Sequence, residues 1–322
     1  MSSMLVVDRY TARSLRSRVL NAATKRAVIR ALTRLERDFG PETFDRLRRL
    51  DEFAARRARP VRGTRTEPVT LGDGVRGEWV HGPGVPAARD RAILYLHGGG
   101  WVTCGLNTHR QLIARISAAS GVPALAVDYR MFPAVPFGQE AEDCLTGYRW
   151  LLDSGAAAEH VTIMGDSAGG HLTFATALLA RDRGLPLPAG LVGISGCYDL
   201  DMATKRSHAN ARREPVEMRA LERLVDAITE GLDVADPSVS PLRADLAGLP
   251  PALLTASYTE VLYDDSERLA NRLDAAGVPC TLRTYDQQLH VFQAFGMLLP
   301  EARASVTAIG AWLRANSPGE AG

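Results

Sequence analysis

A serine flanked by glycines stands between a β-branched run and a helical segment near the middle of the chain. Residues 165–169 read Gly-Asp-Ser-Ala-Gly, with Ser167 at the centre. The run from Val161 to Met164 predicts a buried strand, and the small and apolar residues that follow Ser167 predict a helix. A strand, a sharp turn with serine at its apex and a helix form a nucleophile elbow. The glycines permit a strained turn that side chains would block, so Ser167 is the candidate nucleophile rather than part of a simple small-residue loop.

A serine hydroxyl needs a base, an acid that orients the base, and donors for the oxyanion. In this strand–turn–helix context the base follows the serine along the chain, and three histidines do so. His171 lies on the predicted helix and is expected to pack in the protein core. His208 is expected to be solvated among charged residues. His290 follows a predicted strand at 280–285, in a loop that can reach the upper edge of a sheet. His290 is therefore the candidate base.

The acid is expected in a loop directly after a strand. Residues 251–256 predict such a strand, and Glu260 lies in the loop beyond it. Asp264 and Asp265 come later, where carboxylates favour a helix N-terminus. Glu260 is the first candidate for the acid and Asp264 the second.

The oxyanion donors are expected from a glycine run, His97-Gly98-Gly99-Gly100, just after a predicted strand at 92–96. Glycines let backbone N–H groups face a substrate, and the N–H of Ala168 is expected to add a third donor. A phosphate-binding loop is disfavoured because neither G-x-G-x-x-G nor a G-K-[ST] ending is present.

The surrounding sequence alternates strands and helices, which predicts an α/β fold with a mostly parallel sheet and helices on both faces. Two edge strands are expected at 67–71 and 76–80, and two helices at 12–37 and 41–58, the first with apolar residues at four-residue steps. The further predicted strands lie at 92–96, 124–127, 161–164, 190–195, 252–256 and 280–285, and the helices near 107–120, 138–153, 167–183, 261–276 and 301–316. The interval between the strands at 190–195 and 252–256 is too long for a simple crossover. It predicts an insertion with one helix near 214–231.

Composition excludes several classes of function. The chain has 322 residues, 46% hydrophobic and 23% charged, with a net charge of +1, which argues against nucleic-acid binding. No apolar stretch approaches the roughly 20 residues that span a bilayer, and no secretory signal precedes the first helix. The cysteines (Cys104, Cys144, Cys197, Cys280) are scattered without a C-x-x-C pair, which predicts reduced thiols and gives zinc no support. We therefore expect a cytoplasmic protein without stable membrane insertion.

Taken together, these motifs resemble the hormone-sensitive-lipase-like esterases of the α/β-hydrolase fold from about Ala92 to the C-terminus. The resemblance is carried by His97-Gly-Gly-Gly-Trp101, Asp128-Tyr129-Arg130, Pro136-Phe137, Glu142-Asp143, the segment 165–170, Glu260-Val-Leu-Tyr-Asp264 and His290. It implies a central sheet of about eight strands with a helical cap. The implied division is N-terminal cap helices at 1–60, hydrolase core at 61–199, a cap insertion at 200–245 and the rest of the core at 246–322.

The resemblance also implies the chemistry. Ser167 attacks an ester carbonyl, His290 takes its proton, Glu260 stabilises the imidazolium, and the N–H groups of Gly98, Gly99 and Ala168 hold the oxyanion. No metal or organic cofactor is required. His97 is implied to brace its loop.

Two residues depart from the family pattern. Most members carry Asp at position 260, and most carry Glu at position 134, where this chain has Ala134. The first departure makes the acid one methylene longer, and the second removes a supporting carboxylate near the site.

The expected substrate is a small or short-acyl ester, with a lactone as the alternative. The sequence leaves open a non-hydrolytic enzyme on the same triad, such as a dehydratase, a lactone-forming enzyme or an acyltransferase, and a ligand-binding receptor. It also leaves open whether the chain forms a homodimer, as some family members do through the sheet edge.

Overall fold

The computed structural model describes residues 3–12, 14–37, 41–57, 60–296 and 298–317. The strands are β1 (Leu5–Tyr10), β2 (Arg65–Gly72), β3 (Val75–His81), β4 (Ala92–Leu96), β5 (Ala124–Asp128), β6 (Val161–Asp166), β7 (Gly190–Ile194), β8 (Ala252–Ser257) and β9 (Cys280–Tyr285). The helices are α1 (Leu15–Arg37), α2 (Pro41–Arg57), α3 (Leu106–Ser120), α4 (Gln139–Asp153), α5 (Ala168–Asp182), α6 (Met202–Ser207), α7 (Ala209–Arg213), α8 (Pro215–Ile228), α9 (Tyr263–Ala275) and α10 (Pro300–Asn316).

The strands form one sheet in the order β1-β9-β8-β7-β6-β4-β5-β3-β2. The seven strands from β1 to β5 in this order are mutually parallel, and β3 and β2 continue the sheet as antiparallel neighbours. This arrangement confirms the predicted α/β-hydrolase fold. The chain proceeds from β4 to β5 on one side and then to β6 on the other, so the sheet has a switch point between β4 and β6. Ligand sites of open α/β sheets form at such points, beyond the carboxyl ends of the strands.

The central strands are apolar along their whole length because helices cover both faces of the sheet. In β4, Leu94 and Leu96 pack on one face, in a cluster that includes Leu145 of α4 and Leu172 of α5. On the other face, Ile93 and Tyr95 pack against residues of α3 and α10. This alternation anchors the ends of β4 and β6, from which the glycine run and Ser167 emerge.

The N-terminal segment contains a strand that the sequence analysis did not predict. β1 pairs in parallel with β9, from Leu5 opposite Cys280 to Tyr10 opposite Tyr285, and makes the sheet nine-stranded rather than about eight-stranded. The strand therefore extends the sheet from within the stretch assigned to the cap.

The first turns of helix α1 contact the rest of the protein through their polar side. Its predicted apolar stripe points outward there, since Leu15 and Val19 are 75% and 64% exposed. Instead, Ser17 donates to Gln288 Oε1 at 3.0 Å, and Asn21 Nδ2 donates to the Gln287 carbonyl at 2.8 Å. The helix begins against a polar loop, so hydrogen bonds rather than apolar burial fix it there. This loop leads directly to His290.

The insertion after β7 contains three helices, α6 to α8, where the sequence predicted one. Lys25 of α1 forms an ion pair with Glu214 at the start of α8, at 2.5 Å. This contact joins the N-terminal helix to the insertion above the carboxyl ends of the strands.

Candidate active site

Ser167 lies at the sharp turn between β6 and α5, with a φ of 53° and a ψ of −117°. A positive φ is strained for a residue with a side chain and is typical of functional sites. The two glycines around it are required by space: a Cβ on Gly165 would lie 2.3 Å from the Gly169 carbonyl oxygen, and one on Gly169 would lie 1.9 Å from the Leu96 carbonyl oxygen. The turn therefore fits the predicted nucleophile elbow.

His290 lies between Ser167 and Glu260. Its Nε2 is 2.9 Å from Ser167 Oγ, and its Nδ1 is 2.8 Å from Glu260 Oε2. The structure thus joins the three residues in one hydrogen-bonded chain, although they come from the ends of three different strands. The His290 side chain is 44% exposed, whereas that of Glu260 is 4% exposed. The His290 side of this hydrogen-bonded chain is therefore open to a substrate, and the Glu260 side is closed to water.

The other two histidine candidates lie elsewhere. His171 is buried on α5, where its Nδ1 is 3.0 Å from the Cys197 carbonyl oxygen, and burial lowers its pKa to about 4. His208 accepts a hydrogen bond from the Asn210 N–H and caps α7. His171 is packed as predicted, and His208 is partly exposed with a capping role that the sequence analysis did not foresee.

Glu260 is held by donors on the side away from His290. Its Oε1 accepts from Ser195 Oγ and from the Ser257 N–H, both at 2.8 Å. The Asn210 side chain of α7 also donates to the Glu260 carbonyl at 3.0 Å, so the insertion braces the acid loop. These donors orient the second carboxylate oxygen towards His290 Nδ1.

Asp264, the second candidate for the acid, lies in the first turn of α9. Its nearest described charged partner is Arg268, with Oδ2 3.6 Å from Nη1. The carboxylate within hydrogen-bond distance of His290 Nδ1 is that of Glu260. Its side chain, one methylene longer than that of aspartate, reaches the histidine directly.

The environment of His290 favours its protonated form. Desolvation lowers the pKa of His290, but the hydrogen bond and charge of Glu260 outweigh it and raise the pKa above its usual value. A base that becomes positive during the reaction is stabilised by this arrangement.

The backbone N–H groups of the glycine run differ in whether they have a hydrogen-bond partner within the protein. The Gly98 N–H donates to Asp166 Oδ1 at 3.2 Å. Gly99 and Gly100 follow with φ values of 131° and 62°, and no described residue accepts a hydrogen bond from either N–H. A Cβ on Gly99 would lie 2.0 Å from the Thr103 carbonyl oxygen. In the described part of the chain, Gly99 and Gly100 therefore carry the N–H groups of this loop that have no acceptor within the protein.

The loop is braced as the resemblance implied. His97 Nδ1 lies 2.8 Å from the Gly98 carbonyl oxygen, and its ring stacks on Tyr129 with centroids 4.2 Å apart. Tyr129 in turn donates to the His97 carbonyl at 2.6 Å. Burial lowers the pKa of His97 to about 4, so its ring is neutral.

Beneath this loop lies a group of interacting residues that no sequence motif indicated. Tyr95 Oη donates to Asp166 Oδ1 at 2.7 Å, and His109 Nε2 lies 3.2 Å from Asp166 Oδ2. Asp166 precedes Ser167 directly, which is a sequence signal that could have found it. Tyr95 and His109 stand outside the recognised catalytic motifs.

A buried carboxyl group is also present near the altered family position Ala134. Glu140, in the first turn of α4, accepts from the Gly138 N–H at 2.8 Å through Oε2, while no described residue donates to its Oε1. Burial raises the pKa of Glu140 to about 7 against the opposing effect of backbone N–H groups. The protein thus keeps a largely protonated carboxyl at slightly acidic pH.

We expect Glu140→Gln to stabilise the protein at alkaline pH. The unfolded carboxyl has an ordinary pKa near 4.5, so unfolding releases a proton and the free energy of unfolding falls as pH rises from 4.5 to 7. The amide removes this loss and is expected to raise the free energy of unfolding at pH 8 by about 1–3 kcal/mol. Urea unfolding followed by circular dichroism at pH 4.5 and pH 8 measures both values, with the exposed Glu159→Gln as control. An equal effect of Glu140→Gln at both pH values would contradict the expectation.

Comparison with known proteins identifies the family. A family model described as the alpha/beta hydrolase fold matches residues 93–294. A crystal structure described as an esterase from the bacterial hormone-sensitive lipase family superposes with a TM-score of 0.84 at 34% identity, covering 95% of this chain and 99% of its own. The chain belongs to the hormone-sensitive-lipase-like carboxylesterases. The family and the type of enzyme predicted from the sequence are thereby confirmed.

Other relatives of this esterase carry related names. This chain is 37% identical over 248 residues to an acetyl-hydrolase of Streptomyces hygroscopicus, and the alignment covers 76% of this chain and 81% of the relative. It is 38% identical over 231 residues to esterase LipU of Mycobacterium tuberculosis, covering 70% and 77%. The esterase EstE5, in a crystal soaked with p-nitrophenyl butyrate, has a TM-score of 0.82 at 34% identity and covers 95% of the chain and 100% of its own. In the described part of this esterase, no helix is both long and apolar enough to cross a bilayer.

Proposed function

We propose that this esterase hydrolyses short-acyl esters through Ser167, His290 and Glu260. The proposal is supported above all by the continuous hydrogen-bonded chain from Ser167 Oγ through His290 to Glu260, at 2.9 and 2.8 Å. His290 Nε2 takes the hydroxyl proton while Ser167 Oγ attacks the ester carbonyl carbon. Glu260 stabilises the imidazolium that forms.

The tetrahedral intermediate then needs donors for its oxyanion. We assign these to the N–H groups of Gly99, Gly100 and Ala168, with Gly98 removed from the set because its N–H is bound to Asp166. His290 returns its proton to the leaving alcohol as the acyl-enzyme forms. A water molecule, deprotonated by His290, then attacks the acyl carbon. The bond from that carbon to Ser167 Oγ breaks, His290 returns the proton to Oγ, and the carboxylic acid leaves.

A short acyl group is favoured by the cap above the glycine run. A Cβ on Gly100 would lie 2.6 Å from Leu224 Cδ2 of α8, so this side chain closes the space directly over the loop. The names of the relatives point the same way, since one is an acetyl-hydrolase and another was soaked with a butyrate ester.

We expect p-nitrophenyl acetate, butyrate and hexanoate to be hydrolysed with kcat/KM values at least about tenfold above that of the palmitate ester, a difference of about 1.4 kcal/mol in transition-state binding. The assay uses monomeric ester below its micellar concentration. Leu224→Ala is the matched variant, and it should reduce the ratio of kcat/KM for the short esters to kcat/KM for the palmitate ester. Equal or better turnover of palmitate by the wild-type enzyme would contradict the short-acyl assignment.

Hydrolysis itself is tested by running the butyrate reaction in water enriched in oxygen-18. A hydrolase places one labelled oxygen in the butyric acid released at each turnover. Release of the alcohol without labelled acid, or transfer of the acyl group to an added alcohol in preference to water, would favour a non-hydrolytic enzyme.

A further inference from the structure

We propose that His109 and Asp166 form a buried ion pair that positions the glycine run and neutralises the negative charge beside the oxyanion site. Both are positioning residues: neither touches the substrate, and each acts through Gly98 and the loop that follows it. The inference rests on the proposed ester hydrolysis, whose rate reports the effect.

Asp166 connects the two loops that build the site. Its own backbone continues into Ser167, and its side chain is 3% exposed. Oδ1 accepts from Tyr95 Oη at 2.7 Å and from the Gly98 N–H at 3.2 Å, while Oδ2 faces His109 Nε2 at 3.2 Å. One carboxylate therefore fixes the nucleophile turn relative to the glycine run.

The carboxylate lies directly against that run. A Cβ on Gly98 would be 2.3 Å from Asp166 Oδ2 and 2.8 Å from the Asp166 carbonyl oxygen. The bond to Gly98 holds the residue that precedes the two free donors, Gly99 and Gly100. The same closeness places a buried negative charge next to the point where the substrate oxygen becomes negative, and such a charge opposes catalysis unless it is neutralised.

His109 supplies the neutralising charge, and its hydrogen-bond partners favour the imidazolium. Nε2 faces the Asp166 carboxylate, and Nδ1 lies 3.2 Å from the Gly105 carbonyl oxygen and 2.9 Å from Thr108 Oγ1. The Thr108 hydroxyl donates its own proton to the Gly105 carbonyl at 2.9 Å, so its oxygen faces Nδ1 as an acceptor. A ring whose two nitrogens both face acceptors is satisfied fully only when both are protonated. Burial lowers the pKa of His109, but the charge and hydrogen bond of Asp166 outweigh it and raise the pKa. Burial likewise raises the pKa of Asp166, and the charge of His109 outweighs it and lowers the pKa.

The neighbouring titratable groups do not supply this charge. His97, with its pKa lowered to about 4, is neutral, and burial raises the pKa of Cys104 to about 11. Burial also raises the pKa values of the Tyr95 and Tyr129 hydroxyls. Asp51 of α2 is itself a carboxylate, which accepts from the Thr108 N–H at 2.8 Å and anchors the start of α3. Among the described groups around Asp166, His109 is the cation.

A double-mutant cycle in hydrolysis of p-nitrophenyl butyrate tests the pair. In His109→Gln the side-chain amide keeps a donor for Asp166 but loses the positive charge. We expect kcat to fall about 10- to 100-fold, as when one oxyanion donor is weakened, with KM changed less than about twofold. Asp166→Asn removes the negative charge and keeps an acceptor for Gly98. In the His109→Gln background it is expected to restore most of the lost kcat.

The controls separate this role from packing and from failure of the proposed function. His160→Gln, a partly exposed histidine away from the site, should leave kcat unchanged, and each variant is checked by circular dichroism and thermal unfolding. A wild-type enzyme without hydrolysis would overturn the proposed function itself. Active wild type with an unchanged His109→Gln variant, or losses that simply multiply in the double variant, would overturn the ion pair alone.

Discussion

Replacement of Ser167 by alanine is expected to lower kcat for p-nitrophenyl butyrate by about 10⁶-fold, to the rate that the oxyanion donors and substrate binding alone provide. Alanine lacks the Oγ atom that lies 2.9 Å from His290 Nε2, so no acyl-enzyme can form. The backbone at this position keeps its positive φ in either residue, because Gly165, Gly169 and the hydrogen bond from the Ser167 N–H to the Ile194 carbonyl fix the turn.

The measurement combines initial rates with circular dichroism of both proteins, so that lost activity is separated from lost folding. Ser154→Ala, at the exposed C-terminal end of α4, is the matched control and should retain full activity. Folded Ser167→Ala protein with more than about one hundredth of the wild-type kcat would remove Ser167 from the role of nucleophile.

Glu260→Gln is expected to lower kcat by about 10³- to 10⁴-fold with the fold retained. The neutral amide no longer stabilises the imidazolium of His290. It also presents an NH₂ group that can favour the wrong tautomer of the ring, because two donors already face the opposite oxygen. Asp264→Asn should change kcat by less than about threefold, since its carboxylate lies towards Arg268.

Side-by-side rates of these two variants at pH 8, with thermal unfolding of each, distinguish the two acids. A larger loss in Asp264→Asn than in Glu260→Gln would move the acid to Asp264. A pH titration of the remaining activity adds a second readout, because loss of the Glu260 charge should lower the pKa that controls the acidic limb of the profile.

The residues of the hydrogen-bonded chain could be predicted because each follows a clear strand. Ser167 stands between a β-branched run and a helix, and the loops with Glu260 and His290 come directly after β8 and β9. Parallel strands end at the same edge of a sheet, so chain order alone brings these loops together. The bond from His290 to Glu260 rather than Asp264 depended on side-chain direction, and there the sequence could only rank the candidates.

Three features could not be predicted for physical reasons. The glycine run shows that backbone N–H groups face the site, but which ones do so depends on Asp166, whose partner Gly98 is distant in sequence. His109 carried no signal because one turn of α3 holds it under the loop, and helical periodicity does not distinguish an ion-pair partner from a solvated histidine. Strand β1 was missed because its six residues are too short to separate from the helical segment that follows.

The pairing of β1 with β9 has a consequence for how the protein is made. Leu5 is synthesised 275 positions before its partner Cys280, a delay of about 14–55 s at ordinary rates of synthesis. During that time β1 lacks its partner strand β9. Val6 and Val7 remain 58% and 61% exposed even in the finished fold. This edge of the sheet therefore forms only after Glu260 and strand β9, which precedes His290, have been synthesised. The N-terminal helix can dock on the His290 loop only in that final stage.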